Sequence, residues 1–450
     1  MRVGSTRRRK VFYSWKQIAY HLGCNERTCL RWEKELGLPV HRMTTSSKSR
    51  VFAYKDELDV WIRENIDTRV AKPPPPAGSL LGKWYLLFLP LAAAAVIVVL
   101  FLIFRPPSQP VPEDFSIQGS ELVILGSEGE ELWRYDTGLS RLLGEDHFQE
   151  HFRIKREDRE KRRILHPTIL IKDLDGDGKQ EVLFSPQTDD EFGEGTLHCF
   201  NDRGTCLWEV ATGRELKFGD TTFSPDYRVR GFALADLDND GTDEILIVSD
   251  HNDDFPTQFL IVNAGGEILG EYWNSGRIED FINEDLDGDG RKEIILCGFN
   301  REYREACLIV FDAARVRGAS PQSGRFCCQA LEPGSQTFYV RLPRTDVDLL
   351  EIASLESAYK LNRLANQKIS TLTRGSRIHF EFDYELRSAG IRPSQAFEAA
   401  HMRAAAAGLV RSTLDEAYKQ GLTENILYFD GENWVRKPTR NLTFRDRDAR

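Results

Sequence analysis

Three nine-residue segments place carboxylates where a hard cation can be held. They read Asp173-Leu-Asp-Gly-Asp-Gly-Lys-Gln-Glu181, Asp236-Leu-Asp-Asn-Asp-Gly-Thr-Asp-Glu244 and Asp285-Leu-Asp-Gly-Asp-Gly-Arg-Lys-Glu293. They align without gaps, with acidic residues at positions 1, 3, 5 and 9 and glycine at position 6. The carboxylates are therefore Asp173, Asp175, Asp177 and Glu181; Asp236, Asp238, Asp240 and Glu244; and Asp285, Asp287, Asp289 and Glu293. Oxygen ligands at alternate positions, with a glycine that lets the loop turn back, suit Ca2+. The alternative is that the segments are acidic turns with no metal.

An EF-hand begins in the same way but needs Glu at position 12. That position holds Phe184, Ile247 and Leu296, so the EF-hand is excluded three times. A short apolar run follows each loop, so the loops connect strands. The surroundings repeat as well: LHCFNDRGTCLWEV from Leu197 and FLIVNAGGEILGEYW from Phe259 each read strand, turn, strand. LVILGSEGEELWRYDTG from Leu122 is a further copy without the acidic loop. Loop-to-loop spacings of 63 and 49 residues fit blades of a few antiparallel strands. This pattern resembles the FG-GAP/VCBS repeats of integrin-α-like β-propellers, over roughly residues 165–315. The resemblance implies Ca2+ in a structural role, held by the carboxylates named above. It also implies a backbone carbonyl ligand from position 7, which is Lys179, Thr242 or Arg291.

Catalytic chemistry has one candidate. His147-Phe-Gln-Glu150-His151 fits H-x-x-E-H, a spacing that lets two histidines on a helix share zinc. It lies in a dense charge run and no further ligand can be assigned, so a solvated helix or loop is expected instead. No G-x-S-x-G elbow and no phosphate-cradling glycine loop is present, and the chain is not expected to be an enzyme.

Residues Trp84–Phe104 form an uncharged run of 21 residues. As a helix it measures roughly 31 Å, the thickness of a bilayer's hydrocarbon core. Lys83 and Arg105 bracket it, and Pro-rich segments flank it at residues 67–83 and 105–115. Residues 1–83 hold 17 Lys+Arg against 8 Asp+Glu, a net of +9; the whole chain is −10, which leaves −19 for residues 84–450. The positive-inside bias predicts a cytoplasmic N-terminus and an outer C-terminal part, in a cytoplasmic (inner) membrane. The six cysteines beyond the apolar run permit disulfides without specifying any.

In the basic part, Ser14 can cap a helix over Trp15–Leu22 and Asn25 a second over Glu26–Leu36, ended by Gly37. Two short strands, Val40–Arg42 and Val51–Tyr54, flank a loop containing Lys48 and Arg50, and a third helix follows from about Asp56 to Glu64. The strings RWEKELGLPVHR and VFAYKDELDVW within this order resemble the MerR/excisionase-type winged helix-turn-helix, over roughly residues 12–65. That resemblance implies major-groove contacts from Arg27, Thr28 and Arg31 and backbone contacts from the wing residues Lys48 and Arg50. Arg7–Lys10 can add phosphate contacts, and Trp32 reads as core. A small adaptor for a protein or for anionic lipid is the alternative.

Near the C-terminus, residues 379–386 and 426–435 read as strands and 393–420 as one or two helices, with the last strand expected to close a propeller against the Leu122 region. The chain is thus expected to be multidomain. A basic arm (1–11) leads into a small, mainly-α winged helix-turn-helix (12–66). A Pro-rich linker (67–83), one transmembrane helix (84–104) and a second linker (105–115) follow. The remainder is a large mainly-β propeller-like domain (116–450) with a helical insertion near its end. The expected function is a membrane-anchored one-component transcriptional regulator whose outer domain senses an unidentified ligand or protein, with homodimerisation plausible for its winged helix. The competing expectations are a surface adhesion or scaffold protein with a protein-binding inner domain, and an outer-face hydrolase.

Overall fold

The computed structural model describes residues 9–45, 48–65, 111–152, 166–189, 195–251, 255–350, 357–375 and 377–441. The apolar run at 84–104 lies outside them. Among the described residues no helix is long and apolar enough to cross a membrane. Two compact units divide near Pro106 and Pro107.

The first unit runs β1 (Val11–Phe12), α1 (Trp15–Leu22), α2 (Glu26–Leu36), β2 (His41–Thr45), β3 (Lys48–Tyr54) and α3 (Lys55–Asn65). The helix bounds follow from their caps. Ser14 accepts a hydrogen bond from the Gln17 N–H and Asn25 accepts one from the Thr28 N–H. Gly23 and Gly37, at φ +67° and +64°, end α1 and α2 in the left-handed conformation. The three strands form one antiparallel sheet in the order β1-β3-β2. Ile18, Cys29, Leu38, Ala53, Leu58 and Trp61 make the core. Trp32 packs against it with its ring 5.6 Å from that of Trp61, as its reading as core required.

The strands of this hairpin are longer than the sequence indicated. Thr44 pairs with Ser49 and Thr45 with Lys48, so Lys48 and Arg50 belong to a strand and not to a loop. The β-branched threonines extend the ladder where the polar composition had suggested a loop. The side chains of Lys48 and Arg50 lie outside the described residues.

The second unit is mainly β. Its first sheet holds Asp114–Gln118, Glu121–Leu125 and Glu131–Asp136. The second holds Ile169–Lys172, Glu181–Phe184, Thr196–Phe200 and Cys206–Ala211. The third holds Tyr227–Ala235, Glu244–His251, Thr257–Val262 and Ile268–Asn274, joined in parallel by Arg317–Ala319. The fourth begins with Ile278–Glu284, Glu293–Asn300, Glu305–Asp312 and Phe338–Leu342. The fifth holds Ala358–Leu364, Lys368–Thr373, Ile378–Asp383 and Ser388–Pro393. Consecutive strands pair antiparallel within each, a propeller-like succession of meanders.

Successive sheets share hydrophobic clusters. Leu183 and Leu197 of the second pack with Ile245 and Leu260 of the third, and Ile295 and Leu308 of the fourth with Ile369 and Phe380 of the fifth. Middle strands are therefore covered on both faces. All six residues of Thr257–Val262 are buried, which is why residues 259–262 run apolar without alternation.

The domain begins slightly earlier than expected, because its first strand starts at Asp114, inside the anticipated linker. The expected closure by the last strand does not occur. Leu427–Phe429 pairs with Phe338–Leu342 in the fourth sheet, and Trp434–Val435 folds back on it. The break in this stretch is a turn in which the Asp430 carboxylate accepts from the Glu432 and Asn433 N–H groups. The helical insertion forms as Gln395–Ala406, capped by Ser394, and Glu416–Glu424, capped by Asp415.

Candidate functional site

Each acidic loop joins the first and second strands of its sheet: 173–181 in the second, 236–244 in the third and 285–293 in the fourth. The leucine at position 2 anchors the loop. Leu174 and Leu237 are buried in the cores below, and Leu286 packs on the next cluster. The N–H of each leucine donates to the position-9 glutamate, at 2.9 Å for Leu174–Glu181, 2.9 Å for Leu237–Glu244 and 2.7 Å for Leu286–Glu293. This closes the loop on itself.

Position 1 organises the interior. Asp173 accepts from the Gly176 and Gly178 N–H groups, and Asp285 accepts from Gly288 and Gly290 in the same way. Asp236 accepts from Asp240 and Gly241. The turn needs left-handed backbone at two positions, not one. Position 6 is glycine throughout, and position 4 is Gly176 (φ +76°), Asn239 (φ +62°) and Gly288 (φ +76°). Asparagine is the side chain that best tolerates that region after glycine. The second requirement was visible in the sequence as Gly, Asn, Gly at position 4.

The carboxylate oxygens converge. Ligand atoms of Asp173, Asp175 and Glu181, of Asp236, Asp238 and Asp240, and of Asp285, Asp287 and Asp289 lie within 4.8 Å of one another in each loop. Oxygens sharing one Ca2+ at 2.3–2.6 Å lie at most about 5 Å apart, so the donor sets fit that ion. Asp177, Glu244 and Glu293 stand outside these sets. Asp177 is turned toward the Lys179 ammonium, whose hydrogen bond holds its pKa below the usual carboxylate range. The position-7 N–H groups of Lys179, Thr242 and Arg291 donate to the position-5 carboxylates. Burial first, then repulsion from the neighbouring aspartates, raises Glu181 and Glu244 and pushes Glu293 up to about 7, against the lowering effect of the leucine N–H.

The loops are neighbours. Lys172, just before the first, pairs with Asp243 of the second. Asn239 donates to the Gly290 carbonyl, and Lys292 Nζ reaches the Asp236 carbonyl at 2.7 Å.

A cavity of about 550 Å3 opens where the first strands of the second to fifth sheets converge, lined by Leu170, Phe232, Phe281, Lys360 and Arg363 among others. No sequence motif announces it, because its walls come from four separate sheets. Asp280 lies on its wall and ties three sheets together. It accepts from the Leu361 N–H at 2.8 Å and lies 3.0 Å from His166 Nε2.

In the first unit, Arg27 and Arg31 are exposed on α2, and Arg31 lies 4.0 Å from Glu35. Thr28 is half-buried and its hydroxyl donates to Asn25, which makes it part of the cap. Arg9, from the basic arm, pairs with Asp56 at 3.1 Å. The helix carrying His147 forms over Glu145–Phe152, but the side chains of Glu150 and His151 lie outside the described residues. The described cysteines form no disulfide.

Residues 173–247 match the FG-GAP-like repeat. The matched stretch spans the first two acidic loops. No curated protein is significantly similar to the chain. Among solved structures, the chain is similar to a protein of unknown function from Bacteroides caccae at 13% identity, covering 64% of this chain and 95% of that one, with a TM-score of 0.22. It is similar to BBS1N, solved in complex with ARL6DN, at 8% identity, covering 64% and 72%, with a TM-score of 0.31. It is also similar to BamB from Moraxella catarrhalis at 10% identity, covering 57% and 74%, with a TM-score of 0.20.

Proposed function

We propose that the chain is a membrane-anchored one-component transcriptional regulator. Its basic N-terminal unit is a winged helix-turn-helix that binds DNA in the cytoplasm. Residues 84–104 cross the membrane once. The acidic, propeller-like unit lies outside and responds to a ligand or protein there.

The observation that carries this reading is the exposed basic edge of α2. Arg27 and Arg31 stand one helical turn apart on a helix fixed by Asn25, next to a β-hairpin that carries Lys48 and Arg50. A basic helix edge of this kind suits phosphates and base edges in a major groove. The charge split along the chain, +9 before the apolar run and −19 from it onward, separates a unit suited to polyanions from one that repels them. Binding of duplex DNA by the full chain in detergent micelles, compared with Arg31→Ala, tests it.

Ca2+ is the resident ion this reading assigns to the three loops. The donors would be the carboxylates at positions 1, 3, 5 and 9 with the position-7 carbonyls of Lys179, Thr242 and Arg291. The ion would supply charge neutralisation and no catalysis: it would relieve the repulsion among the carboxylates at positions 1, 3, 5 and 9 and hold the loop rigid.

A further inference from the structure

Cys206 and Glu209 are three residues apart, and in a regular strand an odd separation sends two side chains to opposite faces. The strand Cys206–Ala211 is not regular. Cys206 opposes Phe200, but Trp208 opposes Cys199 and Glu209 opposes His198, so Leu207 is an extra residue in the ladder. A bulge of this kind reverses the alternation beyond it. It brings Cys206 onto the face that carries Glu209 and His198, while Leu207 is left 52% exposed.

The three side chains then meet. His198 Nδ1 lies 3.2 Å from Glu209 Oε1, and Cys206 Sγ lies 3.7 Å from the same oxygen. All three ligand atoms fall within 4.8 Å of one another. In a zinc tetrahedron with bonds of about 2.0 Å to nitrogen and oxygen and about 2.3 Å to sulfur, the nitrogen–oxygen edge is about 3.3 Å and the sulfur–oxygen edge about 3.5 Å. The observed separations are close to those edges before any metal is present. The His198 ring is also held in place: it is buried, with the Tyr135 and Phe200 rings at 5.6 and 6.0 Å.

We propose that His198, Cys206 and Glu209 form a three-ligand site for a thiophilic divalent transition metal of the zinc class, at the edge of the second sheet. The site differs in kind from the acidic loops. Those offer only hard oxygens, whereas a thiolate and an imidazole select softer ions. Cys206 and Glu209 are exposed, which leaves a fourth position open to water or an exchangeable ligand. Metal binding releases the Cys206 thiol proton to solvent and replaces the sulfur–hydrogen bond with a sulfur–metal bond.

The test uses Co2+ as a coloured probe on the full-length, metal-stripped chain in excess Ca2+. One equivalent of Co2+ should bind with a thiolate-to-cobalt charge-transfer band and the visible bands of a tetrahedral site, and stoichiometric Zn2+ should bleach both. Cys206→Ser should abolish the charge-transfer band. Loss of a mere outer-shell partner costs on the order of tenfold to a hundredfold in metal affinity, so Glu209→Gln should weaken binding by at least that much while the far-ultraviolet spectrum stays unchanged. Absence of the charge-transfer band in the wild type, or a band that survives Cys206→Ser, would overturn the proposal.

Discussion

His166 Nε2 lies 3.0 Å from Asp280 Oδ1, joining residues 114 apart in sequence. His166 precedes the first strand of the second sheet and Asp280 sits on the first strand of the fourth. The His166 ring stacks on Phe281 at 3.8 Å with an interplanar angle of 7°. Asp280 accepts in addition from the Phe281 and Leu361 N–H groups. Removing a buried acceptor strands all its donors. Asp280→Ala should therefore destabilise the second unit by about 3 kcal/mol. Asp280→Asn, which keeps an acceptor oxygen, should lose less. Urea unfolding followed by the fluorescence of this unit's tryptophans checks both, and equal stability of Asp280→Ala and wild type would dismiss the pair as a structural tie.

Calcium should raise the melting temperature of the second unit. An ion that binds only the folded state stabilises it by about 2.7 kcal/mol at a hundredfold excess over its Kd. Magnesium should substitute poorly because it demands a tighter octahedron. Replacing Asp175, Asp238 and Asp287 together with alanine should remove the increment. Identical melting in calcium and in chelator would reduce the loops to acidic turns.

Two glycines, one left-handed and one helical, make separable predictions about the backbone. Gly288 has φ +76° and open space where a Cβ would sit, so Gly288→Ala meets only backbone strain, about 1–2 kcal/mol. Gly421 also has open space but lies inside the helix Glu416–Glu424, without a left-handed φ. Gly421→Ala should stabilise by about 0.5–1 kcal/mol. Thermal unfolding of the two variants should move in opposite directions; a shared direction would contradict the assigned backbone.

The proposed orientation across a membrane can be read by labelling intact cells with an impermeant thiol reagent. In a Cys206→Ser background, which removes an exposed native thiol, a cysteine placed at Glu113 should react and one placed at Gly4 should not. Reaction at Gly4 from outside would sink the inward placement of the N-terminal unit.

Local sequence signals yield accurate elements where short-range chemistry decides the outcome. Ser14, Asn25, Gly23 and Gly37 fix α1 and α2 to the residue, because caps and left-handed ends act within one turn. The acidic loops were legible for the same reason: nine contiguous residues carry both the carboxylates and the turn. What depends on distant partners was hidden. Leu427–Phe429 pairs with Phe338–Leu342 rather than with the Leu122 region, a choice between apolar strands of equal local quality. The cavity beside Asp280 needs four strands that no local pattern links. The bulge at Leu207 turns on a single unpaired residue, and only the register reveals that Cys206 and Glu209 share a face.

DNA binding by the full-length chain is the decisive measurement for the proposed regulator. Binding to duplex genomic fragments, measured by fluorescence anisotropy in detergent micelles, should be strong at low salt and fall steeply as salt rises, because neutralised phosphates release counterions. Arg31→Ala should weaken it; losing a good bidentate base contact costs roughly 1–3 kcal/mol. Wild-type binding to at least one genomic fragment, reduced in the Arg31 variant, is the predicted result. No binding to any genomic fragment at low salt would contradict the regulator account and leave the basic unit as an adaptor for protein or lipid.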